Sequence, residues 1–166
     1  MKKFILMISS VALCTLAVNA KVKLSGAIGD NMVLQRQSQA SIWGWADAGK
    51  SVSVHTSWNS KSYSAKADKD GKWLVKVATP DAGGPYTIKI SDGQPVTLSN
   101  VMIGEVWVCS GQSNMEMRMA GNSGQPIDGA LDAILTAGKY RDRVRVITVP
   151  RNSTKELQED ILPNAK

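Results

Sequence analysis

The chain is poor in the side chains that bind metals or cross-link a fold. It has one histidine and two cysteines among 166 residues. No imidazole and thiol cluster can therefore be assembled, and neither a metal nor another cofactor is expected. Cys14 lies within the first twenty residues, so a chain processed there keeps Cys109 as its only thiol. A single thiol excludes an intrachain disulfide and leaves folding to core burial. No long hydrophobic run follows residue 20, so no membrane span is expected once the leader is removed. A basic stripe is also missing. Discounting Lys2 and Lys3 lowers the net charge from +6 to +4, and the remaining Lys and Arg are scattered, which argues against nucleic acid as a partner.

What is present begins with a leader. Lys2-Lys3 precede an apolar stretch from Phe4 to Val18, and Val18-Asn19-Ala20 offers small residues before Lys21. Residues 1–20 read as a signal peptide, which predicts an exported protein, periplasmic or secreted. The hydrophobic content of 43% is enough for a core in the remainder.

From 21 to 100 the pattern is that of an all-β module. Val52, Val54 and Thr56 alternate with Ser53, His55 and Ser57. Trp73, Val75 and Val77 alternate with Lys72, Leu74 and Lys76, and Tyr86, Ile88 and Ile90 with Thr87 and Lys89. A period of two puts one face on a core and the other in solvent. Turn residues fall between the runs at Asp47-Ala48-Gly49, Asp68-Lys69-Asp70-Gly71, Gly83-Gly84-Pro85 and Ser91-Asp92-Gly93. The expected fold here is a small antiparallel β-sandwich.

The pattern changes over 101–166. Glu105 to Cys109 reads as a buried strand, ending in a sharp Gly111-Gln112-Ser113-Asn114 turn and a short helix. Pro126 and Asp128 mark a second helix start, Ala130 to Leu135 supply its apolar face, and Gly138 its C-cap. Val144 to Val149 reads as a further strand. Strand, helix and strand predict the opening βαβ unit of an incomplete α/β domain. Two parallel strands cannot cover both sheet faces, so this half is expected to be truncated.

The run from Gly104 to Glu116 resembles the nucleophile block of the sialate O-acetylesterase family, within the SGNH/GDSL hydrolase superfamily. Asp30-Asn31-Met32-Val33-Leu34-Gln35-Arg36 and Ile42-Trp43-Gly44-Trp45-Ala46 also resemble the N-terminal portion of that family, as do Ala67 to Trp73 and Gly83 to Thr87. The resemblance implies an SGNH-type, flavodoxin-like hydrolase domain and a carbohydrate esterase acting on O-acetylated sialic acid or related sugars. It implies Ser113 as the nucleophile, with its backbone N–H in the oxyanion hole, and Gly111, Gln112 and Asn114 as supports of the turn. The family's catalytic His and Asp lie further downstream, so the isolated chain is expected to be inactive.

Other candidates weigh less. His55 reads as an exposed strand residue rather than a base, and Cys109 as a buried, inert thiol. Glu105 and Glu116 read as surface or capping groups. Trp43, Trp45 and Trp58 suit either a sugar-stacking platform or a sandwich core, and core is favoured in so small a module. The alternative function is a non-catalytic carbohydrate-binding or interdomain module with a vestigial hydrolase segment.

Overall fold

A computed structural model describes residues 22–151 and 153–161. The expected signal peptide and Cys14 lie outside the described residues.

The alternating runs become strands because each can bury one face and pair on both edges. In order they are β1 (Lys23–Leu24), β2 (Val33–Gln35), β3 (Gln39–Trp45), β4 (Ser51–Thr56), β5 (Lys61–Lys66), β6 (Lys72–Ala78), β7 (Gly83–Ser91) and β8 (Pro95–Gly104). They form two sheets, ordered β1-β3-β6 and β2-β8-β7-β4-β5. All pairings are antiparallel except β2 with β8, which is parallel.

The two sheets curl around one core. Ile42, Trp73, Val75 and Val77 come from the smaller sheet, and Val52, Val54, Ile88, Ile90, Leu98, Val101 and Ile103 from the larger. Register aligns them: Ile42 opposes Val75, Val54 opposes Ile90, and Ile88 opposes Leu98. Thr56 is buried on the same face, where its hydroxyl donates to Asn59 Oδ1 at 2.7 Å, as a buried hydroxyl must. The edge strands β5 and β6 share no ladder but are joined by side chains. The Trp58 indole N–H donates to the Ala78 carbonyl at 2.9 Å, and the Ala78 N–H to the Tyr63 hydroxyl at 3.3 Å.

The turn at Asp68–Gly71 forms where expected. Asp68 Oδ1 accepts from the N–H groups of Asp70 and Lys72, each at 2.9 Å, and Gly71 sits at φ 77°, a region favoured by glycine. Gly83-Gly84-Pro85 differs. Its composition predicts a turn, but it opens β7, and the register slips there because one extra residue is accommodated, which is the behaviour of a bulge. A second bulge lies on β8, where Asn100 takes φ 54° and the following residues return Val101 and Ile103 to the core. The sequence boundary at residue 100 thus falls inside β8.

Beyond Gly104 the expected strands are not formed. Residues 105–112 join no sheet, with Trp107 83% and Val108 92% exposed. Residues 144–150 likewise join no sheet. A strand exists only through its ladder, and a parallel one also needs both faces covered; the described residues supply neither. Helix α1 spans Ser113–Glu116 and α2 spans Ala130–Thr136, with a 3₁₀ turn at Ala137–Tyr140 that runs through Gly138 instead of stopping at it. Neither helix has a buried residue.

Candidate active site

The route to Ser113 begins at a joint on the edge of the larger sheet. Glu105, the first residue after β8, accepts from Arg36 Nε at 2.6 Å and from Gln35 Nε2 at 2.9 Å. Gln35 Oε1 takes the Val106 N–H at 2.8 Å. These bonds fix the direction in which the chain leaves the sheet. The Gln35 amide, followed by the Arg36 guanidinium, holds the Glu105 carboxyl below its usual range, since both favour the ionised form.

The chain then runs in the open to the turn. Ser113 is the first residue of α1, and the Gln112 carbonyl accepts from the N–H groups of Met115 at 3.0 Å and Glu116 at 3.1 Å. Gly111 eases this fold-back: a Cβ there would come within a tight 3.1 Å of the Met115 Cβ. Ser113 is exposed. Among the described residues its hydroxyl has no hydrogen-bond partner, and the side chains of Gln112 and Asn114 have none either. Their expected role in bracing the turn is not seen. Glu116 pairs with Arg151.

No base stands beside the serine among the described residues. His55 lies on the solvent side of β4, with Nδ1 3.1 Å from Ser62 Oγ. Cys109, expected to be buried, is exposed, because the strand it was expected to end does not form. Trp58 is structural, meeting Tyr86 edge-on at 5.6 Å between ring centroids. Trp43 and Trp45 are half-buried; Trp43 packs against the core, and the tryptophan fully inside it is Trp73.

Sequence reasoning missed a second attachment. The Arg145 guanidinium donates to the carbonyls of Asn31 at 2.9 Å, Met32 at 3.2 Å and Asn100 at 2.6 Å, and to Asn100 Oδ1 at 3.0 Å. Asn31 and Asn100 both have positive φ, and the Asn100 amide donates to Asn31 Oδ1 at 2.7 Å. The three carbonyls converge on one planar cation, which makes each bond charge-assisted.

No family model matches the chain. The rat sialate O-acetylesterase is 33% identical over 125 residues, covering 64% of this chain and 23% of that protein. The human sialate O-acetylesterase is 29% identical over 149 residues, covering 82% and 27% respectively. A crystal structure of a carbohydrate acetylesterase from Xanthomonas citri superposes with a TM-score of 0.55 at 34% identity, over 60% of this chain and 23% of that one. The chain is a relative of the sialate O-acetylesterases. It spans about a quarter of the length of those relatives.

The relationship gives a physical meaning to the Asp30–Arg36 segment that resembles the sialate O-acetylesterases. Asp30 Oδ1 accepts from the Ser99 N–H at 2.6 Å and from its hydroxyl at 3.0 Å. The Ser99 N–H, then its hydroxyl, pull the Asp30 carboxyl below its usual range. Asn31 shapes the Arg145 cradle, and Gln35 and Arg36 hold Glu105. Four polar residues of one short segment therefore secure β8, and the chain that leaves it, against the β layer.

Proposed function

We propose that the chain carries the nucleophile segment of a carbohydrate esterase of the sialate O-acetylesterase type, with Ser113 as the nucleophile. The observation supporting this is the exposed Ser113 hydroxyl on a sharp turn, without a partner among the described residues, in a chain related to proteins named for that activity. In the reaction, Ser113 Oγ attacks the acetyl carbonyl and displaces the sugar hydroxyl. The resulting acetyl-serine is hydrolysed by water to acetate and free serine. The Ser113 N–H is assigned to the developing oxyanion.

A serine needs a base, and His55 is occupied elsewhere. The proposal therefore assigns the imidazole and its orienting carboxylate to residues other than those described. It takes residues 21–100 as a β-sandwich module, the sequence from Glu105 onward as part of an SGNH-type hydrolase, and residues 1–20 as an export signal. The substrate is an O-acetylated sugar. A second reading, a non-catalytic carbohydrate-binding or interdomain module, is favoured by one observation: the whole core comes from strands and loops before Glu105.

The test is a chimera in which residues 22–161 replace the matching part of the Xanthomonas citri carbohydrate acetylesterase. Hydrolysis of p-nitrophenyl acetate that disappears with Ser113→Ala supports the esterase proposal. A folded chimera whose activity ignores Ser113→Ala refutes it. A folded but inactive chimera favours the second reading.

A further inference from the structure

The stretch that carries Ser113 has no core of its own. None of residues 105–151 is buried. Among the described residues no hydrogen bond or ion pair joins 107–144 to the β layer. Its orientation therefore rests on its points of attachment. The first is Glu105 with Val106, held by Gln35 and Arg36. The second is Arg145. Without Arg145 the chain would run unattached from Val106 until Glu159 and Asp160, which hold Lys72 and Gly26.

The side chain that enters the β layer at the second point is charged, although its neighbours are apolar. Val144, Val146 and Ile147 are exposed, whereas Arg145 is half-buried. The surface that receives it is braced by bonds in which Arg145 has no part. Asp30 holds Ser99, the Ser99 carbonyl accepts from the Asn31 N–H at 3.1 Å, and the Asn100 amide donates to Asn31 Oδ1. The Met32 carbonyl accepts from the Met102 N–H at 3.0 Å and keeps a lone pair for Arg145. Residues 30–32 and 99–102 are thus tied together as two walls of one preformed cradle.

The cradle selects a guanidinium by shape. Three backbone carbonyls converge on Nη1, while Asn100 Oδ1 takes Nη2. Acceptors for two nitrogens of one plane match a guanidinium fork, and a single ammonium nitrogen cannot meet both positions.

We propose that the cradle of Asn31, Met32 and Asn100 is a guanidinium-binding site, and that Arg145, its built-in ligand, is the positioning residue of the Ser113 stretch. Held at Glu105 and again at Arg145, the stretch has a defined orientation on the β layer; released at Arg145, it swings about Glu105. The site and the orientation stand whether or not Ser113 is a nucleophile. Only the effect of Arg145 on catalysis rests on that reading.

The experiment uses Arg145→Ala in the chain itself, followed by NMR. The amide resonances of Asn31 and Asn100 should move on substitution and return, saturably, with methylguanidinium. Methylammonium should not return them, and Arg145→Lys should restore them only in part. Residual dipolar couplings of α2 should shrink in Arg145→Ala, keep their parent values in Arg143→Ala and recover with methylguanidinium, while those of the β layer stay constant. In the chimera with the Xanthomonas citri enzyme, Arg145→Ala should lower kcat about tenfold or more at unchanged KM, and methylguanidinium should recover part of it. Asparagine resonances that ignore methylguanidinium, or that respond equally to methylammonium, overturn the binding site. Unchanged α2 couplings in Arg145→Ala, or an unchanged kcat in a chimera that depends on Ser113, overturn the positioning role. A chimera whose activity ignores Ser113→Ala refutes the serine reading instead, and the NMR measurements then decide this proposal alone.

Discussion

Replacing Ile88 and Trp107 separately by alanine tests where the stability of this chain resides. Ile88 is fully buried, flanked by Thr56 on β4 and Leu98 on β8. Truncating a buried isoleucine costs about 2–5 kcal/mol, as transfer energy and a cavity. The β layer, at roughly 0.05–0.15 kcal/mol per residue, has only about 4–12 kcal/mol in total. With a urea m-value near 2 kcal/mol/M, Ile88→Ala should lower the midpoint by about 1–2.5 M. Trp107 is the larger side chain, and in a core its loss would cost about 3–5 kcal/mol. It is 83% exposed, however, so Trp107→Ala should stay within about 0.5 kcal/mol of the parent. Urea melts followed by fluorescence, with buried Trp73 as reporter, would rank the two. A midpoint shift for Trp107→Ala equal to that for Ile88→Ala would refute the placement of the core and restore the buried strand at 105–109.

Four further outcomes are expected. The Glu105 carboxyl titrates below its usual range in the folded chain, so its contribution is complete at neutral pH and lost as pH falls through that lowered range. The stability difference between parent and Glu105→Gln should therefore be largest at neutral pH and close up in acid, as acid-titrated melts would show. Arg145→Ala should speed amide exchange across residues 140–150 while leaving the urea midpoint of the β layer in place. Gly44→Ala should detach β1, because a Cβ there would lie 2.1 Å from the Lys23 carbonyl oxygen; overpacking of this kind costs about 1–3 kcal/mol. The isolated chain should hydrolyse p-nitrophenyl acetate no faster than its Ser113→Ala variant, and a turnover abolished by that substitution would reveal an unrecognised base.

The β layer was legible because its signal is local. In β4 and β6 every second residue is buried, as the alternation around Val54 and Val75 implies. The Asp68–Gly71 turn arises from its own residues. The features that could not be read depend on partners. Val106-Trp107-Val108 has the composition of a strand, but a ladder is a property of two segments, and Cys109 was misplaced with it. Gly83-Gly84-Pro85 has the composition of a turn, which does not distinguish a turn from a bulge entering β7. Ser113 was nominated as a nucleophile from one contiguous block, whereas a catalytic base is a matter of distance in space. The tryptophans separated only in three dimensions, Trp73 fully inside the core, Trp43 packed against it and Trp45 half-buried.

The parallel pairing of β2 with β8 has a consequence for the order of folding. It joins Val33 to Met102, and closing a loop of that length costs about 3.7 kcal/mol of chain entropy. The hairpins β4–β5 and β7–β8 close at Thr56–Lys61 and Ser91–Pro95, so they carry little of this cost and should form early. Strand β2 is made well before β8 during synthesis but must wait for it before its backbone groups find partners. Non-local closures of this kind slow folding and place the pairing late. Glu105 reaches Gln35 and Arg36 only when that closure is complete. The segment leading to Ser113 therefore takes its place after the β layer has formed, and a lesion in β2 would misdirect the serine without touching it.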